Sequence, residues 1–493
     1  MLLRTCCAAT LALLLPVGSH AATRCDQLIA AFGDKLADVN CFESTDLTTT
    51  NPLTTPLDNS IPGLPAFAFT PRTDRAIFVN AVANPPEDMT PVFRVVPGVQ
   101  LNARLADDPA GQARFLLRLP NDWNGRLVVA GTPAQRSEFS SDFAFSDYVV
   151  QKGYAYASQN KGVLNFYITS PTADPLACRL NPTSTTYVHF YDDEPGKQFT
   201  QWTTYMVNAA RLARTGVKTF YGNQPRFTYA VGGSNGGYQV RRAVEVAPNL
   251  FDGGVDWEGT YVDDPAPNIL TDLPPGVLNY PDYALSKFDP NSTAARNIRA
   301  AGYPPDIVNG TDSMWGRYYT SYWELTACQW QKRLDPTYNT YGTDGAGLAT
   351  YNYVNRLTES SVGDNMAAFA TTGRIQAPLV TVAGTMDALL PINHHARAYE
   401  RAVEANGTSG GRFNQTRAAY RLYEVQNGNH IENYKTFYPQ LEYIRPQAQL
   451  AFDYLVDYVE NGAPLPPDQC IPRGGSLAAK PVQPGHCANL FQP

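Results

Sequence analysis

Charge is scarce in this chain. Asp, Glu, Lys and Arg make up 17% of its 493 residues, against roughly 25% in ordinary soluble proteins. The balance is slightly acidic, at −7, and no run of five like charges occurs. A nucleic-acid binder needs a basic face to neutralise phosphates, so nucleic acid is not an expected partner. Beyond the first residues no stretch reaches the ~18–20 apolar residues of a membrane span, so no membrane partner is expected either. Histidine is rare, with six copies, and there is no C-x-x-C pair. Both points argue against a zinc or thioredoxin-like centre, and no metal or other cofactor is expected. Tandem repeats and low-complexity tracts are also missing, which excludes solenoids and disordered tails. What remains, at 43% hydrophobic, is globular and exceeds one typical core. One large domain with insertions, or two domains, is the expectation.

Residues 1–22 read as a secretory leader. Arg4 precedes an apolar run through Ala12–Leu15, and Ser19-His20-Ala21-Ala22 offers small residues for cleavage. The mature chain is therefore expected outside the cytoplasm, extracellular or periplasmic. It keeps six cysteines: Cys25, Cys41, Cys178, Cys328, Cys470 and Cys487. An even count in an exported chain suggests three disulfides, although six cysteines allow 15 pairings. Short loops favour Cys25–Cys41 and Cys470–Cys487, which leaves Cys178–Cys328.

Thr23 to about Pro91 looks irregular and turn-rich. Strands are then predicted at Val92–Val96, Val99–Leu105, Ala113–Leu119, Arg126–Ala130, Tyr154–Ala157, Phe227–Val231, Pro378–Ala383 and Tyr420–Val425. Helical spacing falls at Gln198–Thr215, Tyr238–Val246, His395–Ala405 and Pro446–Val459. Such alternation predicts an α/β fold, a mostly parallel sheet with helices on both faces. Between Thr260 and Arg374 the alternation gives way to a stretch rich in Tyr and Trp. It reads as a large inserted cap (263–374) between the N-terminal part (23–262) and the C-terminal part (375–493) of one α/β domain. Trp315, Tyr319 and Trp323 are its candidate substrate-binding residues, though aromatic rings also serve ordinary packing.

Gly232-Gly233-Ser234-Asn235-Gly236-Gly237 fits G-x-S-x-G, with a strand before it and a helix after it. This is the nucleophile elbow of an α/β-hydrolase fold. The serine sits on a sharp turn above the sheet, and side chains two residues either side would clash. In that fold the acid and the base follow the serine in chain order. His430, in the loop after Tyr420–Val425, stands where the base belongs. Asp387 follows the apolar strand and the glycine turn at Gly384, where the acid belongs. A capping role before Leu389-Leu390 is its bland alternative, and Asp263, Asp264 and Asp364 are weaker rivals. His394 and His395 open a helix and suit packing or capping. The oxyanion donors expected are the backbone N–H of Asn235 and that of Gly131 or Thr132. The chemistry implied is serine attack on a carboxylic ester through an acyl-enzyme, on a small-molecule or oligomeric substrate, and the Tyr- and Trp-rich cap favours aromatic or apolar esters.

Leu119-Pro120-Asn121-Asp122-Trp123-Asn124-Gly125-Arg126 resembles the LP-x-x-WNGR strand entry of the secreted tannase and feruloyl esterase family. Phe251-Asp252-Gly253 and the Cys25–Leu28 start resemble it too. The resemblance implies an exported esterase with a large cap, often acting on phenolic esters. One departure is plain. That family has a cysteine before the serine and another before the histidine, where this chain has Gly233 and Asn429. Its calcium loop is not evident either. Ser234-Asn235-Gly236-Gly237 with Arg241-Arg242-Ala243-Val244-Glu245 also resembles hydroxybutyrate-oligomer hydrolases. The same glycine-rich turn is similar to that of prolyl-oligopeptidase-type peptidases, but too few residues precede Arg126 for their propeller. A binding protein on a disused hydrolase fold is the non-enzyme alternative.

Overall fold

The computed structural model describes residues 22–55, 90–134, 136–168, 176–190, 199–338, 346–406 and 419–493. All but the last residue of the leader assigned to 1–22 lies outside them. Ten strands form one sheet. In chain order they are β1 (Leu36–Ser44), β2 (Gly98–Leu105), β3 (Arg114–Pro120), β4 (Arg126–Ala130) and β5 (Ala155–Gln159). There follow β6 (Phe227–Gly233), β7 (Gly253–Trp257), β8 (Leu379–Gly384), β9 (Tyr420–Val425) and β10 (Gln469–Ile471). Their spatial order is β1-β2-β3-β5-β4-β6-β7-β8-β9-β10. The pairs from β1 through β3 to β5 are antiparallel. Every pair from β5 onward is parallel.

The parallel strands are buried and mostly apolar because both faces are covered. Successive side chains point to opposite faces. Leu127 and Val129 of β4 pack with Leu28, Met206, Val240 and Tyr399, carried by the helices Arg24–Phe32, Thr200–Tyr221, Asn235–Val246 and Ala396–Asn406. Val128 and Ala130 face Phe145 and, from the Arg445–Asn461 helix, Phe452 and Leu455.

Residues 22–55 differ from the irregular reading given to Thr23–Pro91, of which 56–89 lie outside the described residues. Thr23 caps the Arg24–Phe32 helix through a reciprocal capping box with Asp26. β1 follows it as an edge strand. A bulge between Ala37 and Asn40 interrupts its alternation, which hides the strand pattern. Val92–Val96, in contrast, forms no strand. Its last residue is held instead by Asp46, whose Oδ1 accepts from Val96 N at 3.0 Å.

Two excursions rise from the carboxyl ends of the strands. Between β7 and β8 lie the helices Ile269–Leu285, Thr293–Ala300, Met314–Tyr318 and Glu324–Leu334. They pack round Leu273, Trp315, Tyr318, Trp323 and Trp330. After β5 a small three-stranded sheet carries Cys178, and a disulfide joins it to Cys328 in the Glu324–Leu334 helix. Disulfides also join Cys25 to Cys41 and Cys470 to Cys487. Among the described residues no helix is long and apolar enough to cross a membrane.

Candidate active site

The carboxyl ends of β6, β7, β8 and β9 lie side by side, and the segment after each brings a polar residue to one place. β6 ends in the glycine turn, and the Asn235–Val246 helix begins at once. Between them Ser234 takes φ 56°, ψ −124°, the strained turn that lifts its hydroxyl above the sheet. The turn is closed tightly: a side chain at Gly232 would meet Gly236 O at 2.5 Å.

His430 comes from the loop after β9 and Asp387 from the turn after β8. His430 Nε2 lies 3.1 Å from Ser234 Oγ. His430 Nδ1 lies 2.7 Å from Asp387 Oδ2. The other oxygen of Asp387 accepts from the N–H groups of Leu389 and Leu390, at 2.8 and 2.7 Å. The capping role and the histidine contact are therefore both made, one by each oxygen. An Nδ1–H held by the carboxylate leaves Nε2 free to accept a proton from the serine. Burial disfavours the imidazolium. The carboxylates of Asp387 and Glu258 more than offset this and lift the His430 pKa to about 9.

Asn429, before the histidine, steadies the loop. Its Nδ2 donates to Met386 O at 2.7 Å, and its Oδ1 accepts from Tyr318 OH at 2.7 Å. At Gly233 a side chain would fall 2.4 Å from Trp257 Nε1. The indole thus fills the volume that a cysteine before the serine would need.

The oxyanion expectation needs correction at two positions. Gly131 N donates to Val231 O at 2.8 Å, continuing the strand ladder. Thr132 N donates to the buried Gln239 Oε1 at 2.9 Å. Neither N–H points into the site. Two residues on, Ala134 adopts φ 38° and lines the cavity beside the serine. Lys161 Nζ supports this loop by donating to Thr132 O at 2.8 Å and to Ala134 O. Asn235 heads its helix, where the first N–H groups lack intrahelical acceptors.

The cavity over Ser234 measures about 400 Å³, within the range of small-molecule sites. Trp315, Tyr319 and Trp323 do not line it. Trp315 and Trp323 are fully buried and turned into the helical core, with Nε1 donating to Pro304 O and Ala388 O respectively. Tyr319 stacks on Tyr280 at 4.6 Å between ring centroids. Tyr319 and Trp323 bound a wide π-type turn, Tyr319–Trp323, which presents Tyr322 to the cavity instead. Trp330, Trp257 and Leu325 share that wall. Sequence spacing carries no signal for a π turn. His394 and His395 lie apart from this site, each within 3.3 Å of an Asp272 carboxylate oxygen.

Glu258 has no counterpart in the sequence reading. It follows β7 directly, at φ 51°, and is buried. Its Oε2 lies 3.7 Å from His430 Nδ1. Burial, set against the neighbouring His430, holds its carboxyl well above the ordinary range.

The sheet order, the serine elbow and the placement of acid and histidine on successive strand ends define an α/β-hydrolase fold. The 3HB-oligomer hydrolase (3HBOH) family model matches residues 338–490, a stretch that contains Asp387 and His430. The D-(-)-3-hydroxybutyrate oligomer hydrolase of Burkholderia thailandensis is 35% identical over 147 residues, 28% of this chain and 20% of that protein. This chain thus spans about a fifth of the length of the curated relatives it matches. Feruloyl esterase B from Aspergillus oryzae superposes with a TM-score of 0.52 at 12% identity, covering 87% of this chain and 88% of that one. The tannin acyl hydrolase from Aspergillus niger does so with a TM-score of 0.50 at 11% identity, covering 90% and 88%. The two structural likenesses establish the fold.

Proposed function

We propose that this chain is a serine-type carboxylic ester hydrolase with Ser234 as nucleophile, His430 as base and Asp387 as the acid that orients it. The observation that carries this reading is the unbroken relay of 2.7 and 3.1 Å from Asp387 through His430 to a serine on a strained elbow. Ser234 Oγ attacks the ester carbonyl carbon and passes its proton to His430 Nε2. Asp387 stabilises the imidazolium. The N–H groups of Asn235 and Ala134 receive the tetrahedral oxyanion. Collapse breaks the bond to the alcohol, which leaves with the proton from His430. Water, deprotonated by His430, then cleaves the acyl-enzyme and frees the acid.

The substrate we favour is an ester of a short hydroxy acid of the hydroxybutyrate-oligomer type. Support comes from the sequence likeness over 338–490, which spans both the acid and the base. A second reading, hydrolysis of phenolic esters, is favoured by Tyr322 and Trp330 in the cavity wall. Residues 263–374 act as the cap that closes the cavity and sets acyl selectivity. Three disulfides support folding in an oxidising compartment after export.

Hydrolysis of a matched panel tests the assignment, with Ser234→Ala run beside it. The panel holds a hydroxybutyrate dimer, methyl ferulate, methyl gallate, p-nitrophenyl acetate and a proline-containing peptide amide. Preference for the dimer is expected. Preference for ferulate or gallate moves the substrate to the second reading. Peptide cleavage, or turnover that survives Ser234→Ala, overturns the ester mechanism.

A further inference from the structure

Three acidic or basic side chains meet at one point behind the serine: Glu258, Asp387 and His430 bring their ligand-type atoms within 4.8 Å of one another. Asp387 and His430 are used by the mechanism above. Glu258 is not. Its place is nonetheless closely specified. Glu258 N donates to Val382 O at 2.9 Å, so the residue is tied across to β8, the strand that leads to Asp387. Trp257, just before it, pairs in register with Val382. The segments that follow two adjacent parallel strands therefore bring carboxylates to the same imidazole nitrogen, at 2.7 and 3.7 Å.

The local chemistry is unfavourable unless the carboxyl has a use. Glu258 occupies a backbone conformation that penalises a side-chain-bearing residue. Its carboxyl is buried, and Oε1 has no hydrogen-bond partner. Glu258 also lines the same cavity as Ser234.

We infer that Glu258 is a second carboxylate partner of His430, a positioning residue that shares with Asp387 the task of holding Nδ1–H and the correct tautomer. The inference rests on the reading of Ser234, His430 and Asp387 given above. In the resting site Asp387 is the nearer acceptor, and Glu258 stands about half an ångström outside hydrogen-bond range. Contraction during turnover, or loss of Asp387, brings Glu258 onto Nδ1. The charged groups facing it are His430, Asp387 and Glu432, the last from the segment after β9. Arg445 Nη1 lies 3.9 Å from the Glu432 carboxylate.

The test compares wild type, Glu258→Gln, Asp387→Ala and the double variant on p-nitrophenyl acetate across pH, with melting temperature as the folding control. Alanine at 387 leaves room for Glu258 to approach and adds no competing amide. Glu258→Gln is expected to lose about threefold in kcat/KM. Its acid limb should move to lower pH by about one unit, because one carboxylate that favours the imidazolium is gone. Asp387→Ala should keep activity about a hundredfold above the double variant, where both acceptors are absent. Equal activity and equal pH profiles for Asp387→Ala and the double variant overturn the inference. If Asp387→Ala does not fold, an unshifted acid limb in Glu258→Gln overturns it. Labelling by a serine-directed phosphonate separates the two readings. A wild type that does not label at Ser234 refutes the nucleophile assignment itself, whereas a labelled wild type with a silent Glu258 refutes only the second carboxylate.

Discussion

Gly233 offers a direct test of how the elbow is packed. A Cβ there would stand 2.4 Å from Trp257 Nε1 and 2.6 Å from Cε2. Ordinary carbon contacts lie near 3.5–4.0 Å, so Gly233→Ala must push the indole by about 1 Å. The indole is not free to yield. It stacks on Phe145 with ring centroids 5.2 Å apart, and Trp257 O accepts from Ser234 N at 3.0 Å. Overpacking of this kind costs about 1–3 kcal/mol. At roughly 2–4 °C per kcal/mol, the melting temperature should fall by about 2–12 °C. Trp257 also lines the cavity, and a shift of this size at a reacting centre costs up to about a hundredfold in rate. The assay is a double-mutant cycle. Gly233→Ala is made in wild type and in Trp257→Phe, whose smaller ring vacates the contact. Thermal melting and kcat/KM on p-nitrophenyl acetate are read for all four proteins. The loss on adding the methyl group should be smaller in the Trp257→Phe background. Equal losses in both backgrounds, within about 0.5 kcal/mol, would refute the packing argument. The same contact predicts that Gly233→Cys with Asn429→Cys will not form a tie beside the triad unless Trp257 is also reduced.

Ser234→Ala should lower kcat by about 10⁴-fold or more while leaving the melting temperature within about 2 °C, measured by calorimetry beside the rate assay. The activity of wild type should rise with pH through an apparent pKa near 9, because a protonated His430 cannot accept the serine proton and its pKa is raised; a plateau reached already at pH 7 would contradict this. Beneath the elbow Arg241 Nη2 lies 2.9 Å from Asp256 Oδ1, both side chains fully buried. Arg241→Met should cost about 3–5 kcal/mol in urea denaturation by stranding Asp256, and Asp256→Leu should recover much of it. Replacing Cys178 and Cys328 by alanine should destabilise the fold by about 2–5 kcal/mol and raise protease sensitivity between residues 176 and 190.

Much of this organisation was legible along the chain, and the reason is locality. The serine elbow is a strand, a glycine turn and a helix in immediate succession, so six residues display it. Parallel strands buried on both faces are short apolar runs, which is why Arg126–Ala130 and Tyr420–Val425 coincide with β4 and β9. Chain order then singled out Asp387 and His430 as the residues to bring beside Ser234, and they do stand in contact. The N-terminal helix carried its own signal in Thr23 and Asp26, a local cap that composition obscured.

Other features belong to the tertiary structure alone. Glu258 reaches His430 only because β7 and β8 are neighbours in register, a pairing between segments over a hundred residues apart. Whether a backbone N–H is free for an oxyanion depends on what else it meets: Gly131 finds Val231, and Thr132 finds Gln239, each across the sheet or from another helix. Within Tyr319–Trp323, a π turn leaves Trp323 in the core and Tyr322 in the cavity wall. Local sequence determines backbone shape and the order of the chemical groups, because those rest on neighbouring dihedrals. Contacts between distant segments decide which groups are spent on structure and which remain for the substrate, because a hydrogen bond or a filled volume can serve only one partner at a time.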